Sequence, residues 1–153
     1  EICACLVGSE MCIRDRVYAD GRFTVMDDSY NASPASMKAA LDVFKGLTGK
    51  RHIAVLADMK ELGENYLAYH REVGEYAANS GVDLVVTLGE ASKCLAEGVR
   101  AVKEIPVVEF LDRDEMVKYL EQEVKDGDCI LFKGSNSMGL SAVADKFAEL
   151  AEK

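Results

Sequence analysis

The chain has 153 residues, enough for one well-buried domain and short for two, and its 27 acidic against 18 basic residues leave a formal charge of −9. That balance argues against nucleic acid or an anionic membrane as a partner, because both need a clustered positive surface. Hydrophobic residues at 49% with only two prolines exclude a disordered or collagen-like chain, and no apolar run approaches the roughly 20 residues that span a bilayer.

The chain opens on Glu1 and not on Met, so it is expected to be part of something longer. Residues 1–16 hold three of the five cysteines, Cys3, Cys5 and Cys12, and show neither a helical nor a strand period. They are expected to be a non-native or unstructured leader, with the domain proper over 17–153. The Cys3, Cys5 and Cys12 spacing is not the paired CxxC of structural zinc sites, and no histidine precedes His52. Reduced thiols and no metal site are expected.

From Val17 the pattern is regular. The β-branched run 23–27 predicts a first strand that ends in Asp27-Asp28-Ser29-Tyr30-Asn31. Ser33-Pro34 supplies a helix cap and a first-turn proline, and Met37, Ala40, Leu41 and Phe44 recur at helical spacing until Gly46. A second strand over 52–56 leads through the loop 57–63 to a helix over 66–79. Strands over 82–88 and 106–111 flank a helix over 90–102. A helix over 113–124 is followed by the turn Asp126-Gly127, a last strand over 129–132, and a last helix over 140–151 with Leu140, Val143, Ala144, Phe147 and Leu150 on one stripe.

Five strands alternating with five helices, each strand apolar along its length, predict an α/β fold: a three-layer Rossmann-like domain with a mostly parallel sheet and helices on both faces. Ligands of such folds bind beyond the carboxyl ends of the strands. Three loops lie there. In the first, Asp27 and Asp28 are suited to ribose hydroxyls or a cation and Asn31 to a base or peptide edge, though Asp and Asn also build turns and caps. In the second, Asp58 with His70 is suited to a substrate amine or carboxylate, though a solvated helix start explains the charges equally well. In the third, Lys133-Gly134-Ser135-Asn136 joins glycine, a cation and a helix start, which favours an anion; a polar turn without ligand is the alternative. The Walker order GxxxxGK[ST], a Gly-rich loop after the first strand and a GxSxG elbow are all absent from the sequence.

Four strings in order, 27–37 (DDSYNASPASM), 55–63 (VLADMKELG), 69–74 (YHREVG) and 132–135 (FKGS), resemble the C-terminal domain of the Mur ligases of bacterial cell-wall synthesis, over about residues 17–153. Among these they are most similar to the members that add D-alanyl-D-alanine to UDP-N-acetylmuramoyl-tripeptide. The resemblance implies two further domains, one for the UDP-sugar and a central ATPase domain whose P-loop and Mg²⁺ hold most of the ATP. It implies phosphorylation of the tripeptide carboxylate to an acyl phosphate, attack by the dipeptide amine, and a C-terminal domain that closes to exclude water. On this chain it implies nucleotide binding by Asp28, Tyr30 and Asn31, and a dipeptide side formed by Asp58, His70, Lys133, Gly134, Ser135 and Asn136. A bacterial cytoplasmic monomer, inactive without its other domains, is expected. Three residues depart from the family pattern: Asn136 stands in place of arginine, Ser33 of asparagine and Ala57 of glycine. The first weakens a bidentate grip on a carboxylate, because an amide carries no charge. The competing expectation is a non-catalytic Rossmann-like module that binds a nucleotide or small acid through the same loops.

Overall fold

A computed structural model of the chain describes residues 2–3, 16–18, 21–29, 32–60 and 62–152, and of Ile2, Cys3, Arg16 and Asn136 the backbone alone. In chain order the elements are β1 (Ile2–Cys3), β2 (Arg16–Tyr18), β3 (Thr24–Asp27), α1 (Pro34–Lys45), β4 (Arg51–Ala57), α2 (Tyr66–Ala78) and β5 (Leu84–Leu88). There follow α3 (Ser92–Val102), β6 (Val107–Phe110), α4 (Arg113–Glu123), β7 (Asp128–Lys133) and α5 (Leu140–Ala151). They build one sheet in the order β1-β2-β3-β7-β4-β5-β6. The five strands from β3 to β6 in that order are mutually parallel, as the unbroken apolar runs predict. β1 and β2 add an antiparallel margin that the periodicity does not reveal, because three residues carry no readable period. The expected leader therefore falls mostly on residues outside those described.

Helices cover both faces. Met37, Leu41 and Phe44 of α1, Val73 and Ala77 of α2 and Leu95 and Val99 of α3 pack on Met26, Ala54, Leu56, Val85 and Leu131. On the other face Met116 and Leu120 of α4 and Leu140, Val143 and Phe147 of α5 pack on Val25, Ile53, Val55, Val86, Ile130 and Phe132. Each large apolar side chain buried this way stabilises the fold by about 1.5–3 kcal/mol. Local chemistry sets the helix ends. Ser33 caps α1 through a reciprocal pair of bonds with Ser36, Pro34 occupies the first turn, and at the other end the Gly46 N–H bonds back to the Val43 carbonyl and the Leu47 N–H to that of Phe44. α2 and α3 approach so closely that a Cβ on Gly74 would strike the Leu95 carbonyl, and one on Gly98 the Arg71 carbonyl. Among the described residues no helix is long and apolar enough to cross a membrane.

Two features lie away from the loops. At the amino end of the sheet Arg51 bonds Glu123 Oε2 (2.6 Å), the Glu123 carbonyl (2.8 Å) and both Asp128 carboxylate oxygens (2.8 and 3.4 Å). The Asp128 bond, foremost, pushes the guanidinium further up than its usual value. Burial likewise pushes the neighbouring Cys129 thiol up, and its Sγ–H donates to the Thr48 carbonyl at 3.2 Å. At the sheet edge, β6 exposes Glu109, whose carboxylate meets Arg100 of α3 at 2.9 Å.

Candidate functional site

α1, α2 and α3 lie on one face and α4 and α5 on the other. The loop after β7 therefore turns one way while the loops after its neighbours β3 and β4 turn the other, and a crevice opens between them at the carboxyl ends. The fold brings Asp28, Asp58, Lys133, Gly134 and Ser135 to that end, with His70 close behind. All of these except Gly134 are buried polar residues, so each needs a partner.

Lys133 and Asp28 pair across the crevice, Nζ to Oδ2 at 3.0 Å, with side chains only 3% and 11% exposed. Both charges are taken out of water, a cost that their attraction must offset. The Lys133 ammonium thus meets a ligand already paired with Asp28. The Asp28 N–H also continues the ladder to the Phe132 carbonyl at 3.0 Å. Gly134 permits close packing: a Cβ there would meet the Ala57 Cβ at 2.6 Å.

The segment 58–60 is held residue by residue. Asp58 Oδ1 accepts from the Ser92 N–H (2.8 Å) and Oγ–H (2.7 Å), and Oδ2 from the Ala91 N–H (3.4 Å). A carboxylate just past β4 thus caps α3, whose own cap residue Ala91 offers no side-chain acceptor. Gly89, at φ +118°, leaves the room this needs, since a Cβ there would strike the Asp58 carboxylate. The Met59 N–H donates to His70 Nε2 (2.9 Å). The Lys60 N–H donates to Ser135 Oγ (2.7 Å), and the Ser135 N–H to the Asp58 carbonyl (3.1 Å). Ser135 therefore ties the loop after β7 to the loop after β4.

Beside this segment lies an open cleft of about 490 Å³ lined by Asp58, Met59, Lys60, Leu62, Gly63, Tyr66, Leu67, Glu90 and Ala91. Its walls mix charged side chains, Asp58, Lys60 and Glu90, with apolar ones. The Lys60 ammonium stands at its side, about half exposed and 3.9 Å from Asp58 Oδ2. Tyr66 and Leu67, in the first turn of α2, are exposed. Lys60 lies within the 55–63 string but has no role of its own in the sequence pattern, and nothing there singles out Tyr66, Leu67 or Ser92. The signal for Lys60 was its place three residues past the end of a buried strand. Nothing local marks Ser92, 34 residues from the carboxylate it meets. Tyr30 and Asn31 lie outside the described residues, as does the Asn136 side chain, whose backbone opens a single 3₁₀ turn at Asn136–Met138.

Among the described residues no group of three His, Cys, Asp or Glu side chains is placed to hold a metal ion. For a nucleotide the fit is partial: Asp28 stands at the expected strand end, with one oxygen engaged by Lys133.

The profile of the family described as "Mur ligase, glutamate ligase domain" matches residues 14–136. The chain belongs to that family. Among curated relatives of this Mur ligase domain, the UDP-N-acetylmuramoyl-tripeptide--D-alanyl-D-alanine ligase of Haemophilus influenzae is 41% identical over 125 residues, covering 78% of this chain and 26% of that protein. The ligase of the same name from Bacillus subtilis is 31% identical over 135 residues, covering 87% and 30%. The crystal structure of MurF ligase from Thermotoga maritima in complex with ADP superposes with a TM-score of 0.72 at 27% identity, over 89% of this chain and 30% of that one. A MurF from Acinetobacter baumannii shares the fold, with a TM-score of 0.75 at 24% identity over 88% and 30%. The chain spans less than a third of the length of each.

Proposed function

We propose that residues 17–153 are the C-terminal domain of a bacterial cytoplasmic, ATP-dependent ligase that joins D-alanyl-D-alanine to UDP-N-acetylmuramoyl-tripeptide in peptidoglycan synthesis. The UDP-sugar and ATPase domains belong to the rest of that protein, which acts as a monomer. The observation that carries the reading is the 41% identity to the Haemophilus influenzae ligase over 125 residues. The convergence of the Asp28, Asp58 and Lys133 loops on one crevice supports it.

ATP and Mg²⁺, when bound mainly by the other domains, supply the phosphoryl transfer that turns the tripeptide carboxylate into an acyl phosphate. The residues of this chain bind, orient and shield. The Lys133–Asp28 pair joins the nucleotide side, Asp28 with Tyr30 and Asn31, to the dipeptide side at 133–136, so the strand ends at Asp28 and Lys133 form one linked body. Ser135 extends that body to Lys60. Lys60 supplies a half-exposed cation for a carboxylate, and Met59, Leu62, Tyr66 and Leu67 supply an apolar wall that excludes water from a reactive acyl group.

A chimera decides the matter. Residues 16–152 replace the matching domain of the Haemophilus influenzae relative, and ATP-dependent joining of D-alanyl-D-alanine to the UDP-tripeptide is assayed. Ligation by the chimera, with none by the isolated chain, is expected. A folded chimera without turnover, or tight binding of an unrelated nucleotide or small acid by the isolated chain, overturns the reading in favour of a non-catalytic module.

A further inference from the structure

We infer that His70 is a positioning residue for the incoming dipeptide: it fastens the two walls of the Lys60 cleft to each other and touches no ligand. The inference rests on the ligase reading above and assigns a role within that site. The His70 ring is fully buried in α2, so it presents nothing to a molecule in the cleft. Both of its nitrogens are committed to backbone. Nε2 lies 2.9 Å from the Met59 N–H, which can only donate, so Nε2 carries no proton. Nδ1 lies 2.6 Å from the Tyr66 carbonyl, which can only accept, so Nδ1 carries the proton. The partners thus select one neutral tautomer.

Those two partners are what give the ring its meaning. Met59 and Tyr66 line the same cleft, one from the 58–60 segment and the other from the first turn of α2. The Tyr66 ring also stands edge-on to the imidazole, with centroids 6.4 Å apart. The imidazole therefore spans from one wall to the other through the protein behind the cleft. Asp58 is held by α3 and Lys60 by Ser135, which leaves the Met59 bond as the hydrogen bond that, among the described residues, ties the segment to α2. Were this bond lost, the Met59 N–H would be buried without its acceptor, and the loop bearing Lys60 would shift away from α2 to find another. An aliphatic residue at 70 would fill the space equally well and fasten nothing.

Three variants in the chimera test this. His70→Phe keeps a ring and loses both bonds; His70→Gln keeps an acceptor near the Nε2 position; His70→Asn keeps a donor near the Nδ1 position. His70→Phe is expected to raise KM for D-alanyl-D-alanine roughly tenfold while KM for ATP moves less than about twofold, as for a binding group displaced by a fraction of an ångström. His70→Gln is expected to recover most of that loss and His70→Asn little of it. An unchanged dipeptide KM with only a lower kcat in all three marks a residue needed merely for folding, and overturns the inference. So does a Gln variant no better than Asn, a comparison that remains open if Phe fails to fold. Failure of the ligase reading is told apart by the isolated chain, where hydrogen exchange is read at the Met59 and Lys60 amides. Protection there is expected to fall in His70→Asn and persist in His70→Gln; equal protection in both overturns the inference, whether or not the chimera ligates.

Discussion

At the amino end of the sheet Arg51, part-exposed, is forked onto Asp128 and bonded twice to Glu123. At the carboxyl end Lys133 and Asp28 are buried more deeply than Arg51, and the groups around them are spent differently: Asp58 on α3, Ser135 on the Lys60 amide, His70 on two cleft walls. Both ends hold ion pairs. The amino end closes on itself, whereas the carboxyl end links loops that come from different strands and converge beside an open cleft. A paired charge therefore does not by itself distinguish a functional end from a structural one; what the partners of that charge hold in place does.

The largest effects test that contrast directly. Lys133→Met removes the ammonium from the buried Asp28 carboxylate and is expected to lower the free energy of unfolding by about 3 kcal/mol, read by urea denaturation, and the joint change Lys133→Met with Asp28→Leu to recover most of it, because an apolar pair needs no compensation. If the joint variant stays as unstable as the single one, the carboxyl-end pair is a lock of the amino-end kind and the contrast fails. Asp128→Ala takes the fork from Arg51, which is part-exposed and keeps its bonds to Glu123, and is expected to cost about 1–2 kcal/mol. A smaller effect is expected at the cap. Asp58→Ala is expected to cost about 1 kcal/mol, and Asp58→Asn, which keeps an acceptor for the Ser92 amide, clearly less. Equal losses would show that charge and not the cap geometry matters there.

The smallest effect is in pH and belongs to the amino end. Burial raises the Cys129 thiol in the folded chain above its ordinary value of about 8.5. Between those two points the folded state holds a proton that the unfolded state has lost, so stability falls as pH rises from about 8.5. Urea midpoints from pH 7.5 to 10 are expected to fall less steeply for Cys129→Ala than for the parent chain. Parallel curves would remove the thiol from the account.

The parallel sheet was legible in the sequence because its strands are buried on both faces and read as continuous apolar runs, such as Ile53 to Ala57 and Cys129 to Phe132. The ends of α1 were equally plain, since Ser33, Pro34 and Gly46 act through neighbours in sequence. β2 escaped because its three residues pair only once β3 is in place. The loops were found and their wiring was not: Asp28 meets Lys133 and Asp58 meets Ser92 across long stretches of chain, and both His70 partners are backbone atoms that no residue pattern encodes. Gly74 and Gly98 look like weak points of helices until two helices are seen to touch there.

The exposed Glu109 in β6 bears on how the domain behaves in company. An outermost strand offers its unpaired backbone groups to any extended segment that drifts near. A segment docking on β6 would have to desolvate the Glu109 carboxylate and disturb its contact with Arg100 before the first new bond could form. The margin of the sheet farthest from β1 is thereby guarded against strand addition between molecules, and concentrated solutions of the chain are protected there from growing into extended sheets.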